Sequence, residues 1–589
     1  MQFVHRASFA PSTVAPTLSR GEGRGEGAAG SRNAAKLDSP GRSPGSSVGA
    51  FDQALKGRNP NLALSGLRYK HHAAHPGLRP GLSNRTPLVL RRGQSFAKEW
   101  GGASFCLSSS ILFVAAFLIS SVAADENQTN SPRNTSTLVK PNTPERNESY
   151  AAGSSPKTTR TGEDWPWFLG PRHTGIAGET GLLEKWPEKG PPVLWSMRVG
   201  TGYSAPSVRG NQLVLHHREG DESVVECFAA DTGEFVWRHA YPTDFEDPYG
   251  YNNGPRCSPL LTKDRCYTFG AEGRLSCLDL KTGREIWKRE TAAEFRVPQA
   301  FFGVGATPIL EGNLLITMVG ALPNAGMVAF DATTGKTVWQ NVALKNFDDG
   351  GVRYQRDIKL ASYSSPLAVT IHGKHHILAF MRPGLVSVDP QTGDLNFSYF
   401  FRSNLGDSVN AARPVVVDDL VFLSAAYETG AALLRVKPDG KSYDVAWKDL
   451  DAMQTHWSTT IESGGYLYGF SGRHEPGSTF RCIELKTGKL NWATQDVNAF
   501  DEADPKAGLG KTEPKFYGRG SAILADGKFI VLGERGLLAL VKLNPNKFEE
   551  ISRVKFPQMG YPAWTAPVLS RKRLYLRDEN SLICLDLAK

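Results

Sequence analysis

Cysteine is scarce in this chain, and none of it is arranged to hold a metal. The seven cysteines among 589 residues form no Cys-x-x-Cys and no Cys/His cluster, and His-Glu-x-x-His is absent. Zinc centres of the usual ligand spacing are therefore excluded. There is no Ser-His-Asp spacing and no nucleophile elbow, and the glycine-rich stretches sit at turns instead of opening helices. Charge of one sign is missing from most of the chain. Residues 1–100 hold 15 Lys and Arg against 5 Asp and Glu, so the net charge of +9 belongs to this leader and the remainder carries about −1. A nearly neutral body offers no broad electrostatic footprint for nucleic acid.

Long hydrophobic runs are also rare. The one that stands out is residues 105–124, which carry no charge, follow Arg91, Arg92 and Lys98, and end in Val122-Ala123-Ala124 before Asp125-Glu126. This is the pattern of a secretory signal, displaced a hundred residues from the start. It implies a start codon placed too early, with residues 1 to about 85–90 not normally made. The other reading is an uncleaved anchor, since about 20 uncharged residues just span a bilayer. The expected organisation is a basic low-complexity leader at 1–100, a signal peptide or anchor at 101–124, a Ser/Thr/Asn/Pro-rich linker at 125–163, and a folded domain at 164–589. The product is expected to be exported to the periplasm or cell envelope, touching membrane only if residues 105–124 are retained.

What the domain has in abundance is repetition. A unit of roughly 50 residues recurs eight times after Tyr203, and a period of this length marks a solenoid or propeller. A clear copy reads Ser258-Pro259-Leu260-Leu261, Arg265 to Phe269, Leu275 to Asp279, then Thr282-Gly283-Arg284-Glu285-Ile286-Trp287. Four short alternating segments separated by turn residues are four antiparallel strands, one propeller blade. Openings occur at Ser204, Ser258, Thr307, Ser365, Arg413, Ser458, Gly520 and Thr565, six of them followed within two residues by Pro. Proline lacks an N–H and is tolerated where a strand begins. The outer strand carries an aromatic, Trp237, Trp287, Trp339, Phe397, Trp447 and Trp492, with Val554 as a degenerate copy in unit seven. Unit eight ends before an outer strand can form, while Pro192 to Val199 carries an orphan Trp195 ahead of unit one. That segment is expected to complete blade eight and remove an open edge. The fold class is thus all-β, an eight-bladed propeller of four-stranded antiparallel blades.

Cys227, Cys277, Cys482 and Cys584 fall in the same third-strand slot of four units. Recurrence with the repeat points to core packing, and no disulfide framework is evident.

The segment Ala329-Phe330-Asp331-Ala332-Thr333-Thr334-Gly335-Lys336-Thr337-Val338-Trp339 resembles the tryptophan-docking pattern of pyrroloquinoline quinone (PQQ)-type propellers, and Cys277 to Trp287 follows it with two replacements. Trp165-Pro166-Trp167-Phe168-Leu169-Gly170-Pro171 resembles the opening of secreted members whose function is unassigned. The resemblance implies one of two roles. Quinoprotein dehydrogenases of the family bind PQQ and Ca²⁺ on the axis and oxidise alcohols or sugars, and many carry adjacent cysteines, which this chain lacks. Another branch has the same propeller without cofactor and acts as a protein-binding scaffold.

Residues that enter the first strand of each blade ring one mouth of the axial channel. They are Tyr203, Arg256, Phe302, Tyr363, Asn410 with Arg413, His456 with Trp457, Arg519 and Trp564, with Asp247, Asn252 and Asn253 on the loop before Arg256. The arginines suit carboxylates or phosphates and the rings suit a planar ligand or sugar. The same residue types also serve simply to plug an axis. The expected function is a non-catalytic, monomeric scaffold for a protein partner, small ligand or glycan, with no cofactor. The alternatives are a PQQ- and Ca²⁺-dependent dehydrogenase and a carbohydrate-binding propeller.

Overall fold

Short strands joined by glycine and aspartate turns must fold back on their neighbours, and they do so throughout the repeats. The computed structural model describes residues 160–298, 302–347, 360, 363–405, 408–474, 477–494 and 517–589. Among them, 32 strands form eight four-stranded antiparallel sheets. The chain is an eight-bladed all-β propeller. The leader, the hydrophobic run and the linker up to residue 159 lie outside the described residues. No helix among the described residues is long and apolar enough to cross a membrane.

Each predicted opening leads into or begins the first strand of a blade, for example Ser207–Arg209, Ile309–Glu311 and Val568–Ser570. The last blade is completed as expected. Val193–Arg198 pairs with Ser581–Asp586, with Trp195 opposite Cys584 and Met197 opposite Leu582.

One device joins blade to blade. Trp237, Trp287 and Trp339 stand opposite Cys227, Cys277 and Ala329, each at the last pair before a β-bulge. Their indole N–H groups donate to a carbonyl in the turn of the next blade, at Leu280 (2.9 Å), Ala332 (3.0 Å) and Pro390 (3.0 Å). Trp447 and Trp492 repeat the contact at Leu485 and Asn544. Trp195 does the same across the closure, to Ala230 at 3.2 Å. The turn glycine is needed twice over. Gly283 has φ +72°, and a Cβ there would lie 2.4 Å from Cε3 of Trp237. The small third-strand residue makes room for the indole, which explains the recurrent cysteines. All six cysteines among the described residues are buried and free.

Blade seven corrects the expectation for Val554. The pair that precedes its bulge is Leu540 with Ser552, whereas Val554 faces Leu538. Two residues along a strand return to the same face, so apolar pattern alone selected the wrong one. Ser552 is met from elsewhere in the chain: the backbone N–H of Trp186 donates to Ser552 Oγ at 3.0 Å. Trp186 is buried in the same apolar cluster as Val554 and Phe556.

The segment before blade one also runs along one end of several first strands. Trp165 exchanges backbone hydrogen bonds with Val208, Leu261 N–H donates to Pro166, and Leu524 bonds with Gly175 and Ala177. Ser570 Oγ donates to the Glu163 carbonyl at 2.7 Å. Val208, Leu261, Leu524 and Ser570 all lie where first strands leave the axis. The residues named above as ring candidates precede the other ends of those strands.

Candidate functional site

The entry residues precede the first strands, so the propeller's symmetry directs them toward one another. Their rings form a belt. Trp564 packs on Trp457 (centroids 5.3 Å apart) and on Tyr203 (5.2 Å). His456 meets Trp457 at 5.1 Å and Tyr427 at 5.4 Å. On the other side Tyr251 touches Trp564 (6.1 Å) and Phe302 (5.9 Å), and Phe302 packs on Tyr363 at 5.4 Å. Phe302, Tyr363 and Tyr427 share a small apolar cluster with Val409 and Ala426, which closes the belt.

The arginines are compensated within the protein. Arg519 lies against this pair of touching indoles, its guanidinium carbon 4.9 Å from the Trp457 ring and 5.1 Å from that of Trp564. It pairs with the fully buried carboxylate of Glu534 at 2.8 Å. That carboxylate also accepts the Trp564 indole N–H at 3.0 Å. Arg256 pairs with buried Asp247 at 2.9 Å and donates to the carbonyls of Gly254 and Asn252. Burial lowers its pKa even so. Arg473, which the sequence reading did not single out, stacks on Tyr427 at 4.3 Å.

Two expected mouth residues serve the blades instead. Arg413 donates to the carbonyls of Ser365, Pro366 and His173, and burial pulls its pKa down to about 9. Asn410 donates to the carbonyls of Met381, Arg382 and Phe401. Tyr363 accepts the Phe302 N–H at 2.8 Å. His456 is held at 3.1 Å by the Tyr427 hydroxyl, and desolvation with Arg519, Arg473 and His474 nearby drops its pKa to about 3. It is a neutral imidazole at physiological pH. Burial likewise raises the Tyr203 and Tyr363 hydroxyls.

Glu534 was missed, although a signal for it existed. Gly520 pairs with Gly533, so Arg519 and Glu534 flank the first rung of one hairpin. Glu579 was missed without such a signal. It accepts from Asn252 and Thr201 across the closure between blades eight and one, over 327 and 378 residues of chain.

A PQQ-repeat family model, described as outer membrane protein assembly factor BamB, matches residues 221–494, from the third strand of blade one to the outer strand of blade six. Those residues carry PQQ-type repeats. Curated relatives of the chain point in different directions. The outer membrane protein assembly factor BamB of Burkholderia pseudomallei is 26% identical over 178 residues, 30% of this chain and 41% of that protein. The quinohemoprotein alcohol dehydrogenase ADH-IIG of Pseudomonas putida is 27% identical over 129 residues, 20% of this chain and 17% of its own length. Tetrathionate hydrolase of Acidithiobacillus ferrooxidans is 22% identical over 265 residues, 43% and 46%. The chain therefore spans less than half the length of each. Similar solved structures include BamB from Moraxella catarrhalis (TM-score 0.45, 16% identity, 67% of this chain and 97% of that one). The quinohemoprotein alcohol dehydrogenase of Comamonas testosteroni has a TM-score of 0.48 at 12% identity, covering 72% and 80%.

The PQQ-type fold raises the question of whether the mouth suits that cofactor. A planar quinone bearing carboxylates calls for an open slot between flat side chains and for uncompensated cations. Here Trp457 and Trp564 pack directly on each other and leave no slot, and the charge of Arg519 beside them is met by Glu534. Arg256 and Arg413 are engaged by Asp247 and by carbonyls. In this arrangement the mouth residues do not fit the group.

Proposed function

We propose that this propeller is a non-catalytic binding scaffold, exported to the periplasm or cell envelope, whose partner seats on the aromatic mouth. The observation that carries the reading is Arg519. Its guanidinium rests on two indoles that pack directly on each other and its charge is met by a buried glutamate, so neither an open slot nor a free cation is left there for a flat redox cofactor. Around it the outer rim leaves tyrosine rings open to solvent: Tyr249 is 48% exposed, Tyr251 57% and Tyr561 54%. Tyrosine supplies large contact area at low entropic cost, as binding surfaces require. The match to assembly factor BamB supports the same reading.

The test is direct. Purified protein incubated with PQQ and Ca²⁺ and then desalted is expected to retain no quinone absorbance and to reduce no dye with alcohols or glucose. Retained quinone with dye reduction would replace the scaffold by the dehydrogenase. Partners captured from envelope extract are expected to be lost when Tyr251 and Tyr561 are both changed to Ala.

A further inference from the structure

Beside the belt, at the lip between blades one, two and eight, lies a shallow cavity of about 360 Å³, wide open to solvent, bordered by Thr201, Glu246, Asp247, Tyr251, Asn253 and Glu579. We infer that this cavity binds an uncharged saccharide, one sugar ring stacked on Tyr251 and its hydroxyls bonded to the carboxylates and amide of the wall. The inference rests on the reading of the mouth as a binding surface and names a ligand class for it.

Size and chemistry both favour a sugar. The volume lies in the lower part of the range of small-ligand pockets, roughly 300–1,000 Å³. The wall is rich in acceptors. Glu246 and Glu579 bring carboxylates and Asn253 an amide, groups that take hydroxyl donors in good geometry. An apolar ligand would strand these groups without water. An acidic ligand would meet two carboxylates, while the nearby cation Arg256 is already held by Asp247 and two carbonyls. A sugar offers hydroxyl donors at its edge and a C–H face for an aromatic ring, and this wall presents both complements.

The loop that carries Tyr251 is held in shape before any ligand arrives. Asp247 accepts the N–H of Tyr249 at 2.9 Å and of Asn252 at 3.3 Å. Asn253 Oδ1 accepts the Asp247 N–H at 2.8 Å, and Asn252 Oδ1 accepts that of Gly254 at 2.7 Å. Asn252 also ties the loop to Glu579 in blade eight. Tyr251 meets Phe302 edge-on, at 69°, and Trp564 at a tilt, so more than half its surface stays open. A ring fixed in this way costs little entropy to engage.

The test titrates the full chain with cellohexaose, maltohexaose, N-acetylchitohexaose and trigalacturonic acid, read by tryptophan fluorescence and calorimetry. At least one uncharged oligosaccharide is expected to bind, at least tenfold more tightly than trigalacturonic acid. Tyr251→Ala is expected to weaken it more than tenfold and Tyr251→Phe to retain it. Glu579→Gln is expected to weaken it, with the circular dichroism spectrum of each variant unchanged. Absence of binding by all three uncharged probes at millimolar concentration overturns the inference. So does preference for trigalacturonic acid, or binding that survives Tyr251→Ala. If no sugar binds while partner capture still depends on Tyr251 and Tyr561, the sugar inference falls and the scaffold stands.

Discussion

Gly283 and Gly312 both have positive φ, yet they answer to different demands. A Cβ on Gly312, at φ +59°, would meet nothing within 4 Å, whereas one on Gly283 collides with the Trp237 indole. Gly312→Ala is expected to cost about 1 kcal/mol, the left-handed backbone penalty alone. Gly283→Ala is expected to cost about 3 kcal/mol, because overpacking adds to it. Urea midpoints of the two variants check the difference. Buried histidines set a second residue-scale expectation. His173, His216 and His456 are each driven down to about 3, chiefly by desolvation. The unfolded chain protonates these groups below about pH 6.5 while the folded one does not, so stability falls as pH drops from about 6.5 toward 3. Each contributes about 1.4 kcal/mol per pH unit in that window. His216→Gln is expected to flatten the slope of unfolding free energy against pH by that amount.

At the scale of elements, the joint between blades is an indole over a turn glycine with one N–H to carbonyl bond. Trp287→Phe keeps the ring and loses the bond to Ala332, an expected cost of about 1 kcal/mol. Trp186→Ala is expected to cost about 3–5 kcal/mol, the value of a core tryptophan, although the residue lies outside every sheet. Denaturant unfolding separates the two, and a Trp186→Ala cost near zero would show that the apolar cluster around Phe556 does not need this ring. Four of the six docking tryptophans, Trp237, Trp287, Trp339 and Trp492, were legible because each sits four residues after a turn glycine, while Trp447 and Trp195 were placed by their position in the repeat. Trp186 was not, because it reaches Ser552 from 366 residues away.

At the scale of the whole molecule, ring closure rests on Val193–Arg198. A chain starting at residue 200 is expected to expose the edge of Ser581–Asp586 and to associate, since an unpaired strand is a template for another. Light scattering of the two forms at equal concentration reads the outcome.

Eight units, their openings and the strand that completes the last blade were all decided by the sequence on its own, because period, turn glycines and alternation are local properties of the chain. The sequence also placed Tyr203, Trp457, Arg519 and Trp564 ahead of their first strands, and propeller symmetry carries such equivalent positions to equivalent places. Tertiary structure alone decided how those residues spend their charge. Arg519 meets Glu534, Arg256 meets Asp247, and Arg413 turns to the carbonyls of Ser365, Pro366 and His173. A side chain's partner is chosen by distance and desolvation, and neither exists until the blades have come together.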